Sequence, residues 1–291
     1  MHKAAVIQMA SGPQVAANLA EAGRLLTRAA EGGAVLAVLP ENFAQMAEPR
    51  APFDVAEAPG DGLIQGFLAE TARRLGLWIV GGTVPLRETR FDGETVGGER
   101  PRVRAASLVY DASGECVARY DKIHLFDVRL PRSSAGAEES YTESDVFAPG
   151  DAVQIVDTPI GRLGLTICYD LRFPELFRAL LGLGAEGFVV PSAFTAQTGQ
   201  AHWSALLRAR AIENQAFVLA AAQGGFHVNG RETYGHSLVV DAWGRVVQEL
   251  ARAPGVVIVD IDLEAQRDLR GRFPAVLHRR LRCSGELSEL P

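Results

Sequence analysis

The chain has 291 residues, 47% of them hydrophobic and 22% charged, and a formal net charge of −6 at pH 7. That apolar content over that length builds one large core and excludes a disordered chain, and the acidic balance offers no polybasic face to nucleic acid or membrane. No apolar run reaches the ~20 residues that span a bilayer, and the first ten residues lack a basic stretch followed by an apolar core, so the expected compartment is the cytoplasm.

Residues Ala4 to Gln8 read as a short buried strand. Val15, Leu19, Ala22, Leu26 and Ala29 recur at helical spacing and predict an amphipathic helix ending near Gly32 and Gly33. Ala34 to Leu39 is an apolar run of strand length that stops at Pro40. Ile64, Phe67, Leu68, Thr71 and Leu75 predict a second helix closed by Gly76, with a strand at Leu77 to Val80. Arg87 to Arg102 is polar and reads as an exposed hairpin or loop. Val103 to Tyr110 and Cys116 to Tyr120 flank an Asp-Ala-Ser-Gly turn and predict a β-hairpin. Leu130 to Asp145 reads as a long polar loop of the kind that is more often functional than idle.

Further on, Leu163 to Cys168, Phe188 to Val190 and Phe217 to Ala222 read as strands, separated by helices over Pro174 to Leu183 and His202 to Gln215. Three more strands follow at His236 to Asp241, Arg245 to Leu250 and Val256 to Ile261. Strands alternate with helices for two thirds of the chain, with no repeat or linker. The expectation is one α/β domain, residues 1–265, with mixed sheets packed on helices. Residues 266–291, rich in arginine, form a C-terminal tail expected to pack on a partner subunit.

Two counts bear on function. The chain has three cysteines, Cys116, Cys168 and Cys283, too few and too scattered for a disulfide framework or a zinc site. Of 29 basic residues only two are lysines, Lys3 and Lys122. Arginine cannot give up its proton and does not match a compact ammonium, so a lysine kept inside such a chain points to work arginine cannot do.

Cys168 sits where a strand runs into a turn before Pro174, a residue tolerated in the first turn of a helix. Partial positive charge near a helix N-terminus favours a thiolate there. Glu41 follows the buried strand ending at Leu39, and Lys122 follows the strand ending at Tyr120. Each of the three lies at a strand end, so one sheet edge can gather them.

The segments Leu39-Pro-Glu41-Asn, Asp121-Lys122-Ile-His-Leu-Phe-Asp127 and Ile167-Cys168-Tyr-Asp-Leu-Arg172-Phe-Pro-Glu175 resemble, in order and approximate spacing, the three signatures of the nitrilase superfamily. Pro191-Ser-Ala-Phe-Thr195, the run from Thr198 to Asn214, Ala220-Ala-Ala-Gln223 and Tyr234-Gly-His236-Ser are similar to its Nit branch. The resemblance covers residues 3 to about 265. One departure is Ala105-Ala106-Ser107, where relatives often carry Asn-Thr-Ser.

What the resemblance implies is a nitrilase-like α-β-β-α sandwich, assembling sandwich on sandwich as a homodimer or larger. It implies Glu41 as general base, Lys122 as oxyanion stabiliser and Cys168 as nucleophile. A second glutamate is placed at Glu143, six residues before Pro149-Gly150, in preference to Glu138 or Glu139. The chemistry is consistent: a base takes the thiol proton, the thiolate adds to an amide carbonyl, and Lys122 with the backbone N–H of Tyr169 meets the oxyanion. The leaving ammonia takes the proton, and water cleaves the thioester. No cofactor or metal is expected. The Nit-like flanks imply amides of dicarboxylic acids, deaminated glutathione above all. 2-Oxoglutaramate or an N-carbamoyl amino acid is the alternative substrate. Arg172 and Thr195 are the expected carboxylate-binding residues. Two competing readings remain: a Cys–His hydrolase, since four interior histidines exist, and a catalytically dead binding module on the same fold.

Overall fold

The computed structural model describes residues 1–87, 102–130 and 139–281. Five helices and seventeen strands alternate along these residues: β1 (His2–Gln8), α1 (Val15–Glu31), β2 (Ala34–Val38), α2 (Leu63–Leu75), β3 (Trp78–Val80), β4 (Val84–Arg87), β5 (Val103–Tyr110), β6 (Cys116–Asp121), β7 (Asp127–Leu130), β8 (Glu139–Thr142), β9 (Ile155–Thr158), β10 (Gly161–Leu165), α3 (Pro174–Gly182), β11 (Gly187–Val189), α4 (Ala196–Asn214), β12 (Phe217–Ala220), β13 (Gly224–Phe226), β14 (Glu232–Tyr234), β15 (Leu238–Val240), β16 (Val246–Glu249), β17 (Gly255–Ile261) and α5 (Leu263–Arg272).

The strands form two mixed sheets. One has the order β17-β1-β2-β3-β5-β4, with β6 also paired to β5; the other runs β16-β15-β12-β11-β10-β9. The centres are parallel, β1 to β2 to β3 and β10 to β11 to β12, and the edges antiparallel. The period-2 alternation of side chains divides each central strand between two cores. Val6, Leu36 and Val38 face the second sheet's Leu163, Leu165, Val189 and Leu219. Their neighbours Ile7, Ala37 and Leu39 instead meet Leu25 and Leu26 of α1 and Leu68 of α2. On the far side α3 and α4 cover the second sheet through Phe177, Leu180, Trp203 and Leu207. The result is four layers, α-β-β-α, as the resemblance implied.

The carboxyl ends of β2, β10 and β11 meet at one end of the sandwich. In open α/β sheets that is where ligands bind, because the turns leaving the strands present backbone and side chains to a common crevice.

Several elements differ from the sequence reading. Leu130 to Asp145 is not all loop: β7 and β8 pair as a ribbon around residues 131–138, which lie outside the described set, as do residues 88–101 of the expected 87–102 hairpin. The helix expected from His202 begins at Ala196, because Thr195 caps it and its side chain accepts from Thr198 N. The β13–β14 ribbon and helix α5 were not expected. The α5 N-cap is Asp262, accepting from Ala265 N at 2.9 Å. The boundary drawn at 265 falls inside this helix. Gln266 and Arg270 hold α5 to its own chain through the carbonyls of Glu186 and Gln215.

Candidate active site

Three short connections set the site. After β2 the chain runs through Leu39 and Pro40 to Glu41, then turns at Asn42, whose φ of +56° is in the left-handed region. Asn42 N–H donates to Thr83 Oγ1 at 2.8 Å. Gly82 packs against this turn with φ +54°, and any Cβ there would lie 2.1 Å from the Pro40 carbonyl oxygen. The Glu41 carbonyl accepts from Gln223 Nε2 at 3.0 Å, and Gln223 exchanges two further bonds with Ser11. Glu41 is therefore fixed from both sheets.

After β6, Lys122 N–H donates to Ala105 O and its carbonyl accepts from Gly150 N. After β10, the chain enters a 3-10 turn over Cys168–Arg172. Cys168 has φ +48° and its N–H donates to Pro191 O at 2.8 Å. A non-glycine residue held there costs on the order of 1–3 kcal/mol and persists only where surroundings enforce it. Of the four such residues described, Asn42, Cys168 and His236 line the same cavity.

The side chains converge. Lys122 Nζ lies 2.9 Å from Glu41 Oε1 and 2.8 Å from both oxygens of Glu143. Glu143 Oε2 also accepts from Phe126 N. Lys122 is 2% exposed. Burial alone would lower its pKa, but the carboxylates of Glu143 and Glu41 outweigh this and hold the ammonium well above its ordinary range. Burial pushes the Glu143 carboxyl up, Lys122 pulls it down, and Glu41 pushes it up again, with a net rise.

Cys168 is held between opposing influences. Burial raises its thiol, the Glu41 charge raises it further, and Lys122 and the Ala193 N–H only partly offset this. The net direction is upward, and the Glu41 carboxylate is in hydrogen-bonding contact with the sulfur. The partial charge of a one-turn 3-10 segment is too small to win against desolvation. A base is then needed at the moment of attack, and Glu41 is in contact to serve.

Asp170 ties the nucleophile turn to the Lys122 segment. It is fully buried; Oδ2 accepts from Ile167 N and Tyr120 OH, and Oδ1 from His124 N and the His124 ring Nδ1. His124 stacks on Phe173 at 3.7 Å.

Above this floor opens a cavity of about 1200 Å³, whose walls include Tyr141, Tyr169, Arg172, Phe194, Thr195 and Arg231. Arg172 lies over the Tyr169 and Phe194 rings, at 5.7 and 5.3 Å, and contacts His202 Nδ1. Of the two nearby carboxylates in sequence, Asp170 and Glu175, that could pair with Arg172 and merely order the turn, Asp170 is occupied by the Tyr120 and His124 contacts. Thr195 Oγ1 serves as the α4 cap while lining the cavity. Glu139 also lines it but bonds Tyr141 OH rather than Lys122, and Glu138 lies outside the described residues.

The histidines have partners away from Cys168. His124 bonds Asp170, His202 meets Arg172, His227 bridges Ser11 O and Thr233, and His236 contacts Glu249. Among the described residues no group of three or more His, Cys, Asp or Glu is placed to hold a metal ion.

The carbon-nitrogen hydrolase family matches residues 3–270. The chain belongs to that family. It is 42% identical over 277 residues to deaminated glutathione amidase of Yersinia enterocolitica, covering 95% of this chain and 92% of that one. It superposes on the C. elegans NitFhit protein with a TM-score of 0.82 and 38% identity, over 96% of this chain and only 65% of that longer one. Saccharomyces cerevisiae Nit3, a member of branch 10 of the nitrilase superfamily, matches with a TM-score of 0.82 and 28% identity, over 96% and 97%. Like its family, this chain is a hydrolase of amide carbon–nitrogen bonds on a nitrilase-type fold.

Sequence reasoning did not single out Asp170, Tyr141, Gln223 or Arg231 at this site. For Arg231 a signal existed: Asn229-Gly230 is a strong hairpin dipeptide and marks the β13–β14 turn beside it.

Proposed function

We propose that this carbon–nitrogen hydrolase family member hydrolyses deaminated glutathione, an amide joining a 2-oxo dicarboxylic acid to cysteinylglycine, with Glu41, Lys122 and Cys168 as catalytic residues. The observation that carries the reading is the contact of thiol, carboxylate and ammonium on the floor of one cavity. Glu41 takes the Cys168 proton as sulfur bonds to the amide carbon. The carbonyl oxygen becomes an oxyanion facing Lys122 and the N–H of Tyr169, whose place at the start of a 3-10 turn leaves that donor without an intrahelical acceptor. The C–N bond breaks as nitrogen takes the proton from Glu41. For this substrate the leaving group is the amine of cysteinylglycine; ammonia leaves only from a primary amide such as 2-oxoglutaramate. Water then adds to the thioester, giving its proton to Glu41, and the acid departs as Cys168 regains a proton. Glu143 holds the Lys122 ammonium in place.

Arg172 faces the carboxylate of the 2-oxo acid, which a guanidinium can hold bidentately, and Thr195 adds a hydrogen bond to it. The enzyme acts in the cytoplasm, where thiols stay reduced. It works as a homodimer or larger, supported by exposed Leu183, Ile212, Trp243, Phe273 and Leu277 around the α3–α4 face and the residues after α5. Light scattering reads the assembly.

The deciding experiment is kcat/KM for deaminated glutathione, 2-oxoglutaramate, an N-carbamoyl amino acid, an aliphatic amide and a nitrile. Preference for the first supports the proposal, and preference for another redirects it. Turnover of none leaves a binding module. Arg172→Ala should raise KM for the 2-oxo acid amides and spare a neutral amide.

A further inference from the structure

Among the described residues three buried side-chain polar atoms lack a hydrogen-bond partner: Ser107 Oγ, Asn214 Oδ1 and Arg231 Nε. Only the last belongs to a charged group, and leaving such a donor unmade is the more costly. Arg231 lies in the turn between β13 and β14 and lines the cavity.

Its position is fixed on several sides. Nη2 donates to the Ala193 carbonyl at 2.5 Å, and the guanidinium lies 5.3 Å over the Tyr141 ring. The ribbon is pinned to the opposite segment by Tyr234 N–H on Phe194 O and by the bridge between Thr195 and Thr233. Ala193 N–H meanwhile bonds the Cys168 sulfur. A single residue, Ala193, thus links Arg231 to the nucleophile. Among the described residues no carboxylate pairs with it; the neighbouring Glu232 is taken by Arg252.

A rigid guanidinium with a spare buried donor, beside a nucleophile, is built to receive an acceptor from the ligand. The cavity, at about 1200 Å³, is also larger than a five-carbon amide needs, since pockets for drug-sized ligands run roughly 300–1,000 Å³. There is room for a substituent on the scissile nitrogen.

We propose that Arg231 is a second carboxylate-recognising residue, which binds the acid carried on the amine side of the scissile bond. The preferred substrate is then a peptide-like amide with a carboxylate at each end, Arg172 serving one and Arg231 the other. This rests on the amidase reading of Cys168, and its test is separable from it.

Binding is measured by calorimetry in the Cys168→Ala background, which cannot turn over. The probes are deaminated glutathione and the same compound with its terminal carboxylate converted to an amide. Cys168→Ala should bind the acid more tightly than the amide by roughly tenfold to a hundredfold, the range for a charge-assisted hydrogen bond. Cys168→Ala with Arg231→Met should bind both about equally, and Arg231→Lys should restore part of the preference. If Arg231→Met weakens both ligands alike, Arg231 only supports the Ala193 segment and the proposal falls. It falls equally if Cys168→Ala shows no preference or binds neither ligand. The amidase reading is judged separately, by wild-type turnover of the panel above.

Discussion

On the floor of the cavity the cation is a lysine; on its walls the cations are arginines. Lys122 is buried between Glu41 and Glu143 with Nζ within 2.9 Å of three carboxylate oxygens. Arg172 and Arg231 instead lie over aromatic rings and line the cavity. The difference follows from the ions. An ammonium is a point charge with three donors that can redirect one to a new oxygen as charge develops. A guanidinium is a flat, weakly hydrated fork that stacks well and grips a carboxylate already present. Reaction chemistry is on the floor and recognition on the walls, in a chain that otherwise spends its 29 basic residues almost wholly on arginine.

The largest effect should come from removing the one atom that bonds substrate. Cys168→Ala should abolish hydrolysis while the fold survives, and Cys168→Ser should be nearly dead because a hydroxyl is a far weaker acid than a thiol. Circular dichroism and amide turnover check this; substantial turnover by purified Cys168→Ala would remove the floor from the chemistry altogether.

Next comes the exchange of floor for wall. Lys122→Arg should be almost as damaging as Lys122→Met, each lowering kcat by roughly a hundred- to thousandfold as expected for a lost oxyanion donor. The fork cannot occupy a point site between two carboxylates. Near-normal kcat with arginine would erase the distinction between floor and wall cations.

A third effect is read in stability. Burial first, then Glu41, raises the Cys168 thiol in the folded state above its ordinary range. A group with a raised folded pKa binds its proton more tightly when folded. Its contribution is therefore fully present below the unfolded pKa of about 8.5 and is lost as pH climbs toward the folded value. Wild type should lose stability faster than Cys168→Ala above pH 8.5, by up to about 1.4 kcal/mol per pH unit. Parallel urea titrations at several alkaline pH values measure the difference; parallel curves would mean that the thiol is not held protonated by its surroundings.

Floor and walls were not equally legible. The floor residues were legible because each follows a readable strand, Leu39 before Glu41, Tyr120 before Lys122 and Ile167 before Cys168, and because the segments around them resemble the three superfamily signatures. Local pattern fixes where such strands stop, and the face-to-face packing of the two sheets brings their ends together at one end of the sandwich. The burial that raises the Cys168 thiol depends on what packs over the sulfur, and no local pattern reports it. On the walls Arg172 and Thr195 were read from the sequence, but Tyr141 and Arg231 come from ribbons of three or four residues, β7–β8 and β13–β14, too short to show a period. Arg231 reaches the site only because Tyr234 and Thr233 pair with a segment almost forty residues earlier in the chain. Helix α5 was hidden for a related reason: its polar Arg, Asp and Glu residues dominate its sequence, and Gln266 is its only buried residue.

The smallest effect concerns Thr195, which belongs to wall and scaffold at once. Its Oγ1 accepts from Thr198 N at 3.2 Å and pairs with Thr198 Oγ1 at 2.8 Å, closing the first turn of the 19-residue helix α4. Trp203 and Leu207 anchor that helix in the inter-layer core, so its loss of one cap frays an end without unfolding the rest. Thr195→Ala should cost about 1 kcal/mol, the usual value of an N-cap, which lowers Tm by roughly 2–4 °C in a chain of this size. Thr195→Ser keeps the oxygen and should restore most of it. The same pair of variants tells the two roles apart. If Thr195 also donates to the substrate carboxylate, KM for 2-oxo acid amides should rise in the alanine variant and recover in the serine variant, alongside the stability. Should Tm fall and recover while KM never moves, Thr195 is scaffold alone, and recognition at that wall passes to Arg172.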